Sequence, residues 1–168
     1  AGMLSRITPR IWNLFVVLCC ASLIGFALYS QYVDYLEPCP LCILQRVVFF
    51  AMAVIALLAG LHNPGRIGQQ VYTWLFVGCS ATGASIAGRH IWLQSLPPDE
   101  VPECGPGLNY MLENFPLTEV FATVLRGSGS CAEVIWTFMG LSMPNWTLLW
   151  YLTLGLVTVW VTYRPARN

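Results

Sequence analysis

The spacing of charge along this chain leaves few folds open to it. Uncharged runs of 23, 19, 22 and 30 residues separate Arg10 from Asp34, Arg46 from Arg66, Arg66 from Arg89, and Glu133 from Arg164. A helix needs about 20 apolar residues to cross the hydrocarbon of a bilayer. The four windows predict transmembrane helices at about residues 11–30, 43–61, 71–91 and 146–163. Buried helices of a soluble protein are the alternative, and those rarely run so far without a charge. Composition agrees: 10% of residues are charged and 57% hydrophobic, where a soluble domain carries about 25% charged. The expected fold is an all-α membrane protein, a single domain built as a four-helix bundle.

The basic residues set an orientation. Arg6, Arg10, Arg66, Arg164 and Arg167 fall on one side of a four-helix path, with no acid among them. All eight acidic residues, with Arg46, Arg89 and Arg126, fall on or near the other. The positive-inside rule makes the Arg-rich side cytoplasmic. Both termini are then expected inside, with outer loops at about residues 31–42 and 93–145. The first apolar run is too long for the core of a cleaved signal, so it reads as a permanent anchor. Ala1-Gly2 before Met3 reads as an expression scar.

Charge also excludes functions. Eight Arg balance eight acids and there is no Lys, which leaves no electrostatic hold on nucleic acid and no lysine chemistry. Two His are too few for a His-rich metal site, whereas seven Cys are many for 168 residues.

The outer loops differ in character. Residues 97–107 are too rich in Pro and Gly for a helix, so Cys104 is expected in an extended, accessible segment. Leu117, Val120, Phe121, Val124 and Leu125 then recur at helical spacing, with Thr118 placed to cap and Glu119 in the first turn. This predicts a short amphipathic helix, either lying in the membrane interface or packed on the ends of the other helices. Gly127-Ser128-Gly129-Ser130 reads as a flexible hinge leading to Cys131.

The cysteines sort by position. Cys19, Cys20 and Cys79 fall inside predicted spans, where a thiol behaves as a small hydrophobe. Cys39, Cys42, Cys104 and Cys131 fall on the outer side, where disulfides persist in a bacterial cell. Pro40 suits the first position of a helix, which makes Cys39 the N-cap and puts Cys42 in the first turn. Unpaired backbone N–H groups and the helix dipole favour a thiolate there. Arg46 shares a helix face with Cys42 and favours it further; the alternative is an arginine snorkelling to headgroups. His90, beside Arg89 at the outer end of the third span, either hydrogen-bonds a ligand and passes protons or rests at headgroup level. Cys104 and Cys131 form either an exchanging pair or a structural staple. A zinc site is a weaker rival, because four-Cys zinc sites usually show two close pairs.

Two dithiol pairs, one in a loop and one at a helix start in the membrane, point to an electron relay through mixed disulfides. No haem-attachment Cys-x-x-Cys-His, dinucleotide fingerprint or iron–sulfur spacing is present. A lipid-soluble acceptor remains. Reoxidising a periplasmic oxidant near about −120 mV with a glutathione-type couple near about −200 mV is uphill by about 80 mV, or ~3.7 kcal/mol for two electrons. A respiratory quinone is oxidising enough and sits in the membrane.

Nearly the whole chain resembles the bacterial disulfide-bond formation protein B (DsbB) family. The resemblance rests on Pro38-Cys39-Pro40-Leu41-Cys42 with Arg46, and on Cys131-Ala132-Glu133 with Trp136 and Met143-Pro144-Asn145-Trp146. It implies an inner-membrane thiol oxidase that reoxidises DsbA, a thioredoxin-fold periplasmic protein, and reduces ubiquinone or menaquinone. On that resemblance Cys104 forms the mixed disulfide with DsbA, and the released Cys131 attacks Cys39. Cys42 becomes the thiolate at the quinone ring, Arg46 polarises a ring oxygen, and His90 lies beside the quinone. No metal is implied. Two rivals are a relative of vitamin K epoxide reductase, in which the Cys-x-x-Cys should follow the loop pair rather than precede it, and a four-helix scaffold with bracing disulfides.

Overall fold

The computed structural model describes residue 2 and residues 6–165. Arg167, with Ala1 and Met3, lies outside the described residues. The chain is mostly helical: α1 Pro9–Tyr32, α2 Pro40–His62, α3 Arg66–Ser95, α4 Leu108–Asn114, α5 Leu117–Arg126, α6 Gly129–Ala132 and α7 Met143–Tyr163, with β1 Thr137–Phe138 and β2 Leu141–Ser142 forming a small antiparallel hairpin before α7. Proline opens α1, α2 and α7, where its missing N–H costs nothing. The Thr8 hydroxyl caps α1 by accepting from the Ile11 amide at 3.3 Å. Asn63 ends α2 at a left-handed φ of 45°.

Among the described residues, three helices are long and apolar enough to cross a membrane: α1, α2 and α7. The third expected span is also a helix and the longest, at 30 residues, but it is more polar than those three. Gln69, Thr73, Ser80 and His90 turn inward, whereas Thr82 and Ser85 stay exposed and bond to their own helix backbone. Ser80 donates to the Tyr151 carbonyl at 2.5 Å, Thr73 pairs with Thr162 at 2.7 Å, and Asn13 donates to Gln69 at 3.3 Å. Bonds between helices satisfy groups that hydrocarbon would leave bare. α3 packs on α7 and α2, and α1 packs on α2.

The core lies between α1, α2, α3 and α7, with Val16, Phe49, Met52, Phe76, Tyr151 and Leu154 buried in it. Phe49 stacks on Tyr151 at 4.3 Å, and the Tyr151 hydroxyl donates to the Gln45 carbonyl at 2.7 Å. Cys20 is buried in this cluster and Cys79 packs against it, as small hydrophobes do. Gly83 faces the Tyr151 ring so closely that a Cβ would overlap three of its atoms. Gly83→Ala is therefore expected to destabilise the bundle by about 1–3 kcal/mol, read as a lower thermal midpoint in detergent. An unchanged midpoint would show that the ring yields freely.

Two loop expectations need correction. Pro116, not Thr118, occupies the N-cap of α5, and no side chain caps it. The helix starts early enough to place Thr118 in its first turn, where a hydroxyl no longer precedes the helix. Half of the expected hinge is helical rather than loop. Gly127 takes φ 82° against Leu93, and residues 129–132 close into α6. The Gly129 amide donates to the Glu103 carbonyl at 3.4 Å. On α5, Val120 and Val124 are buried with Met111, while Leu117, Phe121 and Leu125 stay exposed.

Candidate functional site

The site forms where α2 and α7 begin and α1 and α3 end. Cys39 is the N-cap of α2 at φ −71°, ψ 163°, with Pro40 next, as the sequence predicts. One turn on, Cys42 brings its Sγ to 3.3 Å from that of Cys39. All seven cysteines are unbonded.

Of the neighbours Arg89 and His90, it is His90 that turns to the thiols. Its Nε2 lies 3.7 Å from Cys39 Sγ, and its Nδ1 lies 4.0 Å from Cys42 Sγ. Arg89 instead donates to the Arg126 carbonyl at 3.1 Å and lies over the Trp92 ring. The buried Gln45 holds His90 from behind, with Nε2 at 3.2 Å from Nδ1, and accepts from the Thr147 hydroxyl at 2.7 Å. Sequence reasoning passed over Gln45 and Thr147. The available signal was an uncharged polar residue one turn beyond Cys42 on a helix that is apolar but for Arg46 and His62.

The loop pair reaches the same place. Cys131 is fully buried on α6 against Cys39 and Leu41, whereas Cys104 is exposed in an extended segment, as expected. A Cβ on Gly129 would fall 2.9 Å from Cys104 Sγ, so glycine there lets Cys104 approach the turn that carries Cys131. The hydrogen bond to Cys39 and, next, burial push the Cys131 thiol above its ordinary range. At neutral pH it holds its proton, and only a thiolate reacts fast. In the fully reduced chain, iodoacetamide at pH 7 is expected to label Cys104 at least ~10-fold faster than Cys131. Peptide mass mapping checks this, and equal labelling would contradict the burial.

A cleft of about 370 Å³ opens beside Cys42 between α1, α2 and α7, with Arg46, Phe49, Trp136, Trp146 and Trp150 among its walls. Cys42 lines it; Cys39 and His90 do not, and instead line a smaller cavity behind Cys42. Arg46 donates to Gln31 Oε1 at 2.5 Å and to the Ala27 carbonyl at 3.2 Å. Helix α1 therefore fixes the guanidinium at the cleft wall. The structure thus gathers Cys39, Cys42, Cys131, Arg46 and His90, with Cys104 at the surface beside them.

The family model described as "Disulfide bond formation protein DsbB" matches residues 9–161. The chain belongs to the DsbB family. Among its relatives are proteins named disulfide bond formation protein B. That of Nitrosococcus oceani is 53% identical, covering 88% of this chain and 87% of its own length. That of Methylococcus capsulatus is 53% identical over 88% and 90%. That of Chromobacterium violaceum is 47% identical over 97% and 98%. DsbB membership and the membrane-length helices make this chain a membrane oxidoreductase of disulfide-bond formation.

Proposed function

We propose that the chain is a thiol:quinone oxidoreductase of the bacterial inner membrane. It reoxidises a periplasmic DsbA-type dithiol protein and passes two electrons through Cys104/Cys131 and Cys39/Cys42 to ubiquinone or menaquinone. The carrying observation is the place of Cys42, whose thiol lines the aromatic cleft on one side and meets Cys39 on the other.

The cleft fits a quinone by its chemistry. Its volume lies within the range of small-molecule sites, ~300–1,000 Å³. Its walls are mainly aromatic and apolar, with Gln45 and Thr147 as neutral polar groups and, among the described residues, Arg46 as the one cation and Cys42 as the one thiol. A bound quinone supplies a lipid-soluble acceptor of two electrons and two protons. Arg46 is placed to hold a ring oxygen by charge, and Trp136, Trp146 and Trp150 exclude water.

The thiol steps balance on this chain's residues. A partner thiolate attacks Cys104 and breaks a Cys104–Cys131 bond, and Cys131 leaves with the electron pair. Cys131 attacks Cys39, which frees Cys42 as the thiolate. The partner's second thiol displaces Cys104 and leaves the partner oxidised. Cys104 then attacks Cys131, restores the loop disulfide and releases Cys39. Two electrons now reside on Cys39 and Cys42 beside the cleft. The packing of Cys131 against Cys39 supports the second step. His90, bonded to the thiols rather than lining the cleft, serves as their proton partner.

In this reading α3 completes four spans, since it lies between α2 and α7 in the bundle. Arg6, Arg10, Arg66 and Arg164 mark the cytoplasmic end, and the cysteine end faces the periplasm. The exposed Leu117, Phe121 and Leu125 rest in the outer interface.

The test mixes purified protein, reduced DsbA-type protein and a soluble quinone, and follows quinone absorbance. Catalytic quinone loss matched mole for mole by partner disulfide is expected. Partner oxidation without quinone loss would overturn the reading.

A further inference from the structure

Behind Cys42, away from the cleft, Cys39, Cys42 and His90 close around a cavity of about 20 Å³. One ligand atom from each lies within 4.8 Å of the others. A cavity of this size holds about one water-sized particle. Its wall also carries Glu37 and Glu133, so the entrance favours a cation.

We propose that the reduced site binds one thiophilic divalent cation of the Zn²⁺ class through the Cys39 and Cys42 sulfurs and a His90 ring nitrogen. Tetrahedral zinc with bonds of about 2.3 Å to sulfur and about 2.0 Å to nitrogen spaces its ligands roughly 3.5–3.8 Å apart. The present separations are 3.3 Å between the sulfurs and 3.7 Å from Cys39 Sγ to His90 Nε2, and Cys42 Sγ lies 4.0 Å from the other ring nitrogen, Nδ1, with the three ligand atoms within 4.8 Å of one another. Seating the ion therefore takes an opening of the sulfurs and a shift of Cys42 and the imidazole toward a common centre. Two thiols lose their protons on binding, and the two thiolates neutralise the dication. A fourth position stays open to water on the carboxylate side.

The surroundings supply the outer support such sites use. A ligating histidine donates its second ring N–H to an acceptor that fixes the ring. Gln45 already lies at 3.2 Å from Nδ1. A half-turn of its amide presents the oxygen there, and the Thr147 hydroxyl can then accept from the amide nitrogen in place of donating to Gln45. That hydroxyl keeps a second acceptor, the Pro144 carbonyl at 2.9 Å.

The consequence rests on the proposed relay, although the binding does not. With the ion in place Cys39 and Cys42 cannot rejoin as a disulfide, so the chain is held in its reduced state. Soft metal in the periplasm thereby slows disulfide formation at this step.

Cd²⁺ is the probe, because thiolate–Cd²⁺ charge transfer absorbs in the ultraviolet. The full chain in detergent is reduced with a phosphine, freed of reductant and titrated, with bound ion counted by dialysis and Zn²⁺ added as competitor. One ion per reduced chain is expected, displaced by Zn²⁺, with none after oxidation. Cys42→Ser abolishes the band, Gln45→Ala weakens binding ~10-fold or more, and His90→Ala weakens it at least as much. Cys104→Ser keeps it. Helical circular dichroism verifies that each variant is folded; if His90→Ala unfolds, His90→Gln replaces it. Parental affinity in the folded histidine variant, binding that is lost with Cys104, or no binding at all overturns the proposal. Quinone reduction measured without metal is a separate arm. A chain that takes the ion yet reduces no quinone keeps this site and loses the proposed function, and the converse result does the reverse.

Discussion

Cys42→Ser is expected to lower quinone reduction by ~10³-fold or more, because essential members of a reacting unit fail together. Cys42 is the cysteine that lines both the cleft and the cavity it shares with Cys39 and His90. A serine hydroxyl forms no disulfide, so Cys131 finds no Cys39–Cys42 bond to open, and electrons stop at the loop pair. The exposed Cys104 is untouched by the change. A partner lacking its second thiol should therefore still be trapped on Cys104, visible as a heavier band on a non-reducing gel. An intact partner should be oxidised at most once per chain. The paired readout separates a broken relay from a broken fold, since a misfolded chain would also lose the adduct. Parental quinone turnover in this variant would remove Cys42 from the path.

Features set by neighbouring residues are legible in the sequence, whereas those set by distant contacts are not. Uncharged runs located α1, α2 and α7 because hydrocarbon penalises charge along the whole span. They also located α3, but not its inward polar groups, since a run of uncharged residues does not distinguish leucine from serine. Cys39 and Cys42 were legible because Pro40 fixes the helix start and so fixes both neighbours. That one of Arg89 and His90 meets the thiols follows from helix geometry; which one depends on how α3 rotates against α2. The approach of Cys104 to α6 depends on the missing side chain at Gly129, and Gly127 is held by Leu93, more than thirty residues earlier. Neither is a local signal, and the four-residue Gly-Ser run accordingly read as a hinge. The cleft has walls from three helices and the hairpin. Its aromatic residues become a pocket only when those elements meet.

Arg46→Ala is expected to raise the Michaelis constant for quinone by ~10-fold or more, the size of one lost charged hydrogen bond. The guanidinium is not a free surface group. Gln31 and the Ala27 carbonyl hold it from α1, so it reaches the cleft with little entropy left to lose. Arg46→Lys keeps the charge but cannot form the fork that grips α1 while facing the cleft, and an intermediate constant is expected. Gln31→Ala should move the constant in the same direction by less, since the carbonyl anchor remains. If the charge instead acts mainly by sustaining the Cys42 thiolate, the maximal rate falls and the Michaelis constant stays. That outcome would leave Arg46 in the site as a partner of sulfur and remove it as a partner of the ring. An arginine that only snorkels to headgroups would leave both constants at the parental value, and the ordering Arg, Lys, Ala would vanish.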